Sequence, residues 1–132
     1  MDLGCGSGLS GDAITAAGHK WVGLDISQAM LDTAIEREAD GDVALADMGQ
    51  VGGGSAVIDL CVCSFGTDDD DNSEGGRWQG LGLRDNCFDG AISISAVQWL
   101  CNADKSWHDP RQRLRSFFKS LYRCLTVSFI AG

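Results

Sequence analysis

The sequence predicts an α/β fold in which helices flank a parallel β-sheet. Strand-like and helix-like segments alternate along the 132 residues, and a glycine-rich turn joins the first strand to the first helix. Acidic residues follow the second and third strands. Alternation of this kind builds βαβ units, which set successive strands side by side and parallel. The length allows a single domain, residues 1–132.

The first strand–helix–strand unit is short. Met1–Leu3 forms the end of a strand, and the glycine-rich turn follows it directly. A helix is predicted over Leu9–Ala17, and Gly18 ends it, since glycine readily takes the left-handed conformation found after a helix C-terminus. Residues 21–24 make the second strand, which ends at Asp25.

A second helix and a third strand come next. Ser27 is the predicted N-cap of a helix that ends near Ala39. Apolar residues recur in it at helical spacing and predict one buried face, made of Met30, Leu31, Ala34 and Ile35. Residues 43–46 form the third strand, which ends at Asp47.

The last third of the chain predicts one more strand and the longest helix. Residues 88–95 are strand-like, and a short helical turn follows around Trp99. Asp109-Pro110 reads as an N-cap with proline at the first helical position, and the helix runs to Leu125. Its predicted buried stripe is Leu114, Phe117, Phe118, Leu121 and Leu125. Its cations lie mostly outside that stripe: Arg111, Arg115, Lys119 and Arg123.

An acidic, glycine-rich segment interrupts this pattern at residues 51–79. It carries Asp59, Asp68 to Asp71 and Glu74 against Arg77 alone. Its second half has few apolar groups to bury, so we expect partial disorder beyond a short strand at 56–63. The whole chain has a net charge of −9, which by itself argues against electrostatic binding of nucleic acid.

The cysteines and the distribution of apolar residues argue against a membrane protein, a secreted protein and a metal-binding protein. No apolar run of about 18 residues predicts a membrane span, and no basic start precedes an apolar leader. We therefore expect no membrane partner and an intracellular chain with reduced thiols. Cys61-x-Cys63 lacks a second ligand pair, so no metal site is predicted. The expected role of Cys5, Cys87 and Cys101 is that of small buried residues.

The glycine-rich turn, Asp2-Leu3-Gly4-Cys5-Gly6-Ser7-Gly8, carries the candidate chemistry. Closely spaced glycines let the backbone approach a ligand without a Cβ atom in the way. Asp25 stands at the end of the next strand, where a carboxylate accepts hydrogen bonds from the two hydroxyls of a ribose. Residues 6–11 also match the dinucleotide pattern G-x-G-x-x-G, which predicts NAD.

Three details favour S-adenosylmethionine over a dinucleotide. Asp2 precedes the first glycine by two positions, where it could hold the cofactor's amino group but would repel a pyrophosphate. The additional pair Gly4-x-Gly6 moves the turn earlier than a dinucleotide fold expects. Asp47 follows the third strand and could accept the adenine amino group. Two alternatives stay open: Asp2 as an exposed charge, and Asp47 as a solvated loop residue.

These residues resemble the eukaryotic 18S rRNA (guanine-N7) methyltransferase family, which has a Rossmann-like class I S-adenosylmethionine-dependent methyltransferase fold. The similarity covers residues 2–50 and 80–125. Besides the glycine-rich turn, it is carried by Gly23-Leu24-Asp25-Ile26-Ser27 and Ala46-Asp47-Met48-Gly49. Its most specific part is the run from Phe88 to Asp104, which contains Gln98-Trp99-Leu100-Cys101-Asn102 and continues at Asp109-Pro110-Arg111-Gln112-Arg113-Leu114.

The resemblance implies S-adenosylmethionine as cofactor and methyl transfer to guanine N7 in 18S rRNA during small-subunit ribosome biogenesis. The residues that it implies for cofactor binding are Asp2, Gly4, Cys5, Gly6, Gly8, Asp25, Ile26, Asp47 and Met48. Ser95 and Trp99 are the candidates beside the substrate, with core packing as the alternative for Trp99. No catalytic base is expected, because N7 already carries an in-plane lone pair.

The resemblance also implies partners and a location. The partners are the pre-ribosomal small subunit with its 18S rRNA and a small zinc-binding activator subunit in a heterodimer. The implied location is the nucleus, in nucleolus and nucleoplasm, with the cytoplasm as a second site.

The chain departs from the family pattern in three places. Residues before the glycine-rich turn are missing, 126–132 do not match, and 51–79 are extra, either as a retained intron or as a genuine insertion. We therefore expect a truncated chain that is a poor enzyme and only marginally stable alone. Two functional alternatives stay open: an inactive or mis-spliced product, and a methyltransferase of a small molecule.

Overall fold

The computed structural model describes residues 1–49, 81, 83–102 and 108–126. The disorder predicted within 51–79 and the strand predicted at 56–63 lie outside these residues. The elements in chain order are β1 (Asp2–Leu3), α1 (Leu9–Ala16), β2 (Val22–Asp25), α2 (Gln28–Glu36), β3 (Asp42–Leu45), a 3-10 helix (Val97–Cys101) and α3 (Pro110–Cys124). Within the described part, none of the helices is long and apolar enough to cross a membrane.

The three strands form one parallel sheet in the order β1–β2–β3. Asp2 lies opposite Gly23, and Asp25 lies opposite Leu45. Because the strands are parallel, their carboxyl ends lie at one edge of the sheet, and the loops that follow the three strands meet there. The predicted α/β fold with a parallel sheet is confirmed.

Two apolar clusters cover the two faces of this sheet. Leu3 and Leu24 pack with Leu100 and Phe117, which come from the 3-10 helix and α3. On the other face, Trp21 packs with residues of the glycine-rich turn, α1 and α2: Cys5, Ile14 and Leu31. Successive residues of a strand point to opposite faces, so β3 contributes to both clusters, with Ala44 in the first and Val43 in the second. The result is a sheet between two helical layers, with its carboxyl edge open for the loops.

The predicted fourth strand, residues 88–95, is wrong as a continuous element. Ile92 forms a parallel bridge to Asp2, whereas Phe88 forms one to Leu125, so the segment changes partner between these two residues. Beyond Ile92 the backbone leaves the extended conformation, with φ of 57° at Ser95. The segment still runs along the outer side of β1, where the Ile92 amide donates to the Met1 carbonyl at 2.9 Å.

The helices confirm most of the predicted boundaries. Asp109 caps α3 as expected, because its Oδ1 accepts hydrogen bonds from the amides of Arg111 at 2.9 Å and of residue 112 at 3.4 Å. Helix α2 ends at Glu36, earlier than predicted, and Glu38 has a left-handed φ of 55°.

The predicted buried faces of α2 and α3 are each partly wrong. In α2, Leu31 and Ala34 are buried, whereas Met30 and Ile35 are exposed. In α3, Phe117 is buried, but Phe118 is 55% exposed and Leu125 lies beyond the helix. The most buried positions of α3 are Arg113, Phe117, Ser120 and Cys124.

The indole ring of Trp21 lies in a slot between glycines. A Cβ atom on Gly11 would lie 2.0 Å from Trp21 Cζ2, and one on Gly41 would lie 2.2 Å from Trp21 Cε2. The ring is held in place by a hydrogen bond from its Nε1 to Thr15 Oγ1 at 3.0 Å. The indole ring of Trp21 thus packs closely against the backbone at Gly11 and Gly41, and it connects α1 to the start of the second strand.

We expect Gly11→Ala to destabilise the chain, although alanine is the better helix former. The helix preference favours alanine by about 1 kcal/mol, but overpacking a closed site costs about 1–3 kcal/mol, and the Trp21 ring is rigid and hydrogen-bonded. Urea unfolding measures the difference. The control is Gly90→Ala, because nothing lies within 4 Å of that Cβ position. A Gly11→Ala variant as stable as the control would contradict the packing argument.

Candidate functional site

The glycine-rich turn follows β1 at the carboxyl edge of the sheet and contacts the end of β2. The amide of Gly6 donates to Asp25 Oδ2 at 2.8 Å, and the amide of Ser27 donates to Asp25 Oδ1 at 2.9 Å. Both carboxylate oxygens are therefore held in fixed positions, while each keeps a second lone pair for a ligand. The predicted proximity of the turn and Asp25 is confirmed.

Most backbone amides of the turn donate hydrogen bonds to other groups of the chain. The amides of Gly4 and Cys5 donate to the Leu24 carbonyl at 2.7 and 3.1 Å, and that of Gly8 donates to the Cys5 carbonyl at 2.9 Å. With the amide of Gly6 on Asp25, four of the five amides in residues 4–8 have a partner. A phosphate site needs free amides, so this arrangement disfavours a pyrophosphate ligand.

Asp2 lies behind the turn and is buried. Its Oδ2 accepts a hydrogen bond from the Ser10 hydroxyl, whereas Oδ1 has no hydrogen-bond partner among the described residues. Burial raises the pKa of Asp2, and the Ser10 hydrogen bond opposes that change. The alternative of an exposed charge is wrong. A buried carboxylate oxygen without a partner is costly, and a cationic ligand group would remove that cost.

Gly4 brings the segment 93–96 against the turn. Gly4 has φ of 78°, and a Cβ atom there would lie 2.1 Å from Ala96 Cβ. The hydroxyl of Ser93 donates to the Leu3 carbonyl at 2.8 Å, which fixes the segment along the end of β1. Ser95, exposed and with a left-handed φ of 57°, therefore follows directly alongside the turn.

Asp47 lies in an ion pair with Arg113, which the sequence did not predict. Arg113 Nη2 lies 3.1 Å from Asp47 Oδ1, and the amide of Gly49 donates to the same oxygen at 2.8 Å. Arg113 is buried and also donates to the carbonyls of Gly49 and Asn102, each at 3.3 Å. The alternative of a freely solvated Asp47 is wrong, because this carboxylate is anchored to α3.

Apolar side chains surround the turn on its open side. Met48 Cε and Met30 Cε lie 3.8 Å and 3.3 Å from where Cβ atoms on Gly4 and Gly6 would be. Ile26, directly after Asp25, is 67% exposed. Trp99 is 63% exposed, so its alternative role in core packing is wrong.

The four cysteines that the structure describes divide into a buried and an exposed group. Cys5 is buried as predicted, and burial raises the pKa of its thiol to about 12, with the charge of Asp2 acting in the same direction. This thiol therefore stays protonated at neutral pH and does not serve as a nucleophile. The predicted burial of Cys87 and Cys101 is wrong, because both are exposed. No group of three or more metal-binding side chains occurs in the described part.

The predicted residues Asp2, Gly4, Gly6, Asp25 and Met48 thus meet at one edge of the sheet. A cavity of about 810 Å³ elsewhere, lined by Met1, Trp21, Phe88 and Asp42, contains none of the predicted cofactor residues. Sequence reasoning missed Ser10, Met30 and Arg113. Arg113 shares a helical spacing with Phe117, Ser120 and Cys124, and that spacing was the available signal of its burial.

The chemistry of the site follows from its hydrogen-bonding groups. It offers acceptors: the free oxygen of Asp2, the remaining lone pairs of Asp25, and Asp47 at the rim. It offers few free amides and several apolar contacts. This combination suits a ligand with an ammonium group, vicinal hydroxyls and a flat apolar part, and it does not suit a phosphate ester.

Comparison with known proteins gives one family and several relatives. Residues 1–75 match the family described as "Methyltransferase domain". The chain is 52% identical over 126 residues to the 18S rRNA (guanine-N(7))-methyltransferase RID2 of Arabidopsis thaliana, with 96% of this chain and 34% of the relative covered. It is 45% identical over 126 residues to the 18S rRNA (guanine(1575)-N(7))-methyltransferase of Saccharomyces cerevisiae, with 95% and 35% covered. The chain thus spans about a third of the length of these relatives.

Solved structures resemble the fold at lower identity. The PH0226 protein of Pyrococcus horikoshii OT3 matches with a TM-score of 0.57 and 22% identity, over 95% of this chain and 42% of that protein. A protein of echinomycin biosynthesis, in a structure of the conversion of a disulfide bond into a thioacetal group, matches with a TM-score of 0.57 and 18% identity, over 94% and 37%. At these identities the likeness concerns the fold alone.

Proposed function

The chain belongs to the methyltransferase domain family, and from this premise we propose that it is part of an enzyme that transfers a methyl group from S-adenosylmethionine to N7 of a guanine in 18S rRNA. One observation carries the choice of cofactor: the turn has almost no free amide, whereas the buried Asp2 keeps an unpartnered oxygen. The choice of substrate is supported by the relatives, which are named for that reaction.

The cofactor is assigned to the edge of the sheet residue by residue. Asp2 Oδ1 accepts from its ammonium group, and the backbone of the turn, from Gly4 through Cys5 and Gly6 to Gly8, borders its methionine part. Asp25 accepts from both ribose hydroxyls with the lone pairs that Gly6 and Ser27 leave free. Ile26 and Met48 would hold the adenine, and Asp47 would accept a hydrogen bond from its amino group.

The chemistry of methyl transfer to N7 requires little of the protein beyond placement. S-adenosylmethionine supplies an electrophilic methyl group on a positively charged sulfur. The N7 atom of guanine would form the new bond with a lone pair in the plane of the base while the bond from sulfur to the methyl group breaks and its electron pair stays on sulfur. No proton has to be removed first. Holding the two groups in line and excluding water are therefore the main contributions of the chain. Ser95 borders the site, and the exposed ring of Trp99 is available to stack on an unpaired base.

The proposed setting is ribosome assembly in the nucleus, since 18S rRNA is made and modified there before the small subunit leaves. A base in a folded duplex is hidden in the stack, so the substrate is an unpaired guanine of the pre-ribosomal small subunit. Transfer of tritium from labelled S-adenosylmethionine to isolated 18S rRNA, compared with transfer to a pool of small metabolites, tests the substrate class.

A small zinc-binding activator subunit is the proposed protein partner. The outer edge of β3 has no strand partner among the described residues, and Leu45 is half exposed on it. An open edge with apolar side chains invites the addition of a strand from another chain. Co-purification of the activator with the chain, and its loss when Leu45 is changed to proline, tests this surface, because the amides of Asp42 and Ala46 face β2 and that of Leu45 faces outward. Proline interrupts the ladder of hydrogen bonds that a docking strand needs.

We expect Asp25→Ala to weaken S-adenosylmethionine binding by roughly 1–3 kcal/mol, because it removes the charged acceptor of two ribose hydroxyls. Isothermal calorimetry on the 132-residue chain measures the change. Asp40→Ala is the matched control, since Asp40 is an exposed carboxylate whose pairing is with Lys20 at 3.8 Å. An unchanged dissociation constant for Asp25→Ala would remove Asp25 from the ribose site.

A further inference from the structure

The outward face of α3 forms a continuous basic and aromatic surface, which we call the α3 stripe. Its members are spaced so that they share one side of the helix. They are all exposed and comprise Arg111, Arg115, Phe118, Lys119 and Tyr122. The side chains of Phe118 and Tyr122 are 55% and 70% exposed. The stripe lies opposite the buried positions of the helix, such as Arg113 and Phe117.

The charge of the stripe is unusual for this chain. The whole chain has a net charge of −9, yet helix Pro110–Cys124 contains five cations and no acidic residue. Two of these cations are neutralised away from the stripe, Arg113 by Asp47 and Arg123 by Asp85. The three cations of the stripe have no ion-pair partner within the described residues. The stripe therefore offers three positive charges to a ligand from outside.

The aromatic rings of the stripe are exposed and one of them is held in place. The rings of Phe117 and Phe118 meet edge to face, with 5.0 Å between their centres and an angle of 67°. Because Phe117 is buried in the core, this contact fixes Phe118 while leaving much of its ring in water. Tyr122 follows one turn later on the same face. Exposed rings between cations are typical of surfaces that bind single-stranded nucleic acid, where bases stack on the rings.

The stripe also begins beside the candidate site. Arg113, in the same turn as Arg111, donates to the carbonyls of Gly49 and Asn102 and pairs with Asp47. The N-terminal turn of α3 is thereby attached to the rim of the site. A strand lying along the stripe would run toward the edge of the sheet where the cofactor residues meet.

We infer that the α3 stripe binds single-stranded RNA. Its three cations contact phosphates, and Phe118 and Tyr122 stack against two bases. The inference rests on the proposed function, which gives RNA as the class of ligand. It adds the surface that binds this RNA outside the candidate site. The three phosphate contacts account for the salt dependence of binding, and the two stacked bases account for affinity that salt does not remove.

The test is fluorescence anisotropy with a labelled 15-nucleotide oligouridine and the 132-residue chain, titrated over a series of KCl concentrations. Each phosphate contact on a single strand changes the slope of log affinity against log salt by about 0.7. We expect a slope of about −2 for the unmodified chain and a slope shallower by about 0.7 for Arg115→Gln. Phe118→Leu keeps the apolar volume but loses the ring, so affinity should fall about 5-fold or more with the slope unchanged.

The control is Lys20→Gln, which removes an exposed cation outside the stripe and should leave the slope unaltered. Circular dichroism verifies that each variant is folded. Equal affinity for all variants, or an equal change for Lys20→Gln, overturns the inference. The inference is also overturned if the chain binds no RNA and instead forms a dimer that Phe118→Leu converts to a monomer. The stripe would then be an interface between two copies of the chain. Calorimetry with S-adenosylmethionine is independent, so a failure of the proposed cofactor would be seen separately.

Discussion

Replacing Asp2 by asparagine is expected to weaken S-adenosylmethionine binding by about 10- to 150-fold, since hydrogen bonds to a charged group contribute about 1.5–3 kcal/mol. Asparagine keeps the shape and the bond to Ser10 but presents no negative charge to an ammonium group. Calorimetry with 5′-methylthioadenosine, which lacks the amino-acid part, should give the same affinity for both chains. Asp40→Asn is the control on the surface. A loss that affects both ligands equally would contradict the assignment of the ammonium to Asp2.

The same substitution should change the pH dependence of stability. Burial raises the pKa of Asp2 in the folded chain, so the folded state binds its proton more tightly than the unfolded state. The resulting stabilisation is complete below the ordinary pKa of aspartate and is lost as pH rises through the raised value. Asp2→Asn lacks this titration, and its unfolding free energy should vary less across that range of pH. Urea unfolding at several pH values measures the effect.

Gly4→Ala is expected to have the largest effect on the fold of the site. Gly4 and Gly18 have nearly equal left-handed φ angles of 78° and 83°, so alanine costs about 1–2 kcal/mol of backbone strain at either position. Only at Gly4 does the new Cβ also meet Ala96 Cβ, at 2.1 Å. Overpacking adds about 1–3 kcal/mol there, and the displaced segment 93–96 should abolish detectable cofactor binding.

A double variant separates the two costs of Gly4→Ala. In Gly4→Ala with Ala96→Gly, the nearest remaining atom of residue 96 is its Cα at 3.6 Å, an ordinary contact. Cofactor binding should return in part, and the unfolding free energy should approach that of Gly18→Ala. Calorimetry and urea unfolding report the two quantities. If the second change restored nothing, the clash with Ala96 would not be the cause.

Much of the site could be predicted because it depends on local sequence. The glycine spacing after β1 and the carboxylates at the ends of β2 and β3 are set by short segments whose order along a parallel sheet is regular. Asp2, Gly6 and Asp25 therefore meet where the sequence placed them. The partner of Asp47 could not be predicted in this way, since Arg113 lies 66 residues away.

The orientation of α3 shows why a periodic pattern was not sufficient. The apolar stripe predicted from Leu114, Phe117 and Phe118 differs by about a quarter turn from the side that is buried. Three hydrogen-bonded attachments of Arg113, to Asp47, Gly49 and Asn102, fix the rotation of the helix. A count of hydrophobic positions does not predict that a long cationic side chain such as that of Arg113 is buried. The outward position of Phe118, on which the α3 stripe depends, follows from that rotation.

The fourth predicted strand failed for a related reason. The apolar alternation of residues 88–95 fits a strand, but pairing depends on what lies alongside. Ile92 has β1 beside it, whereas Phe88 has the chain after α3. The hydrophobic pattern of one segment contains no information about which other segment pairs with it, so this change of partner could not be predicted.

The slot around Trp21 couples the effects of substitutions at Gly11 and Gly41. Gly11 and Gly41 face the same ring, at 2.0 and 2.2 Å from a would-be Cβ. Substitutions at these positions are therefore epistatic: an alanine that is harmful opposite tryptophan becomes tolerable once residue 21 is smaller. We expect a larger residue at either glycine to be tolerated only where residue 21 has lost the indole. In a variant that carries both changes, the loss of unfolding free energy should be smaller than the sum of the losses in the two single variants.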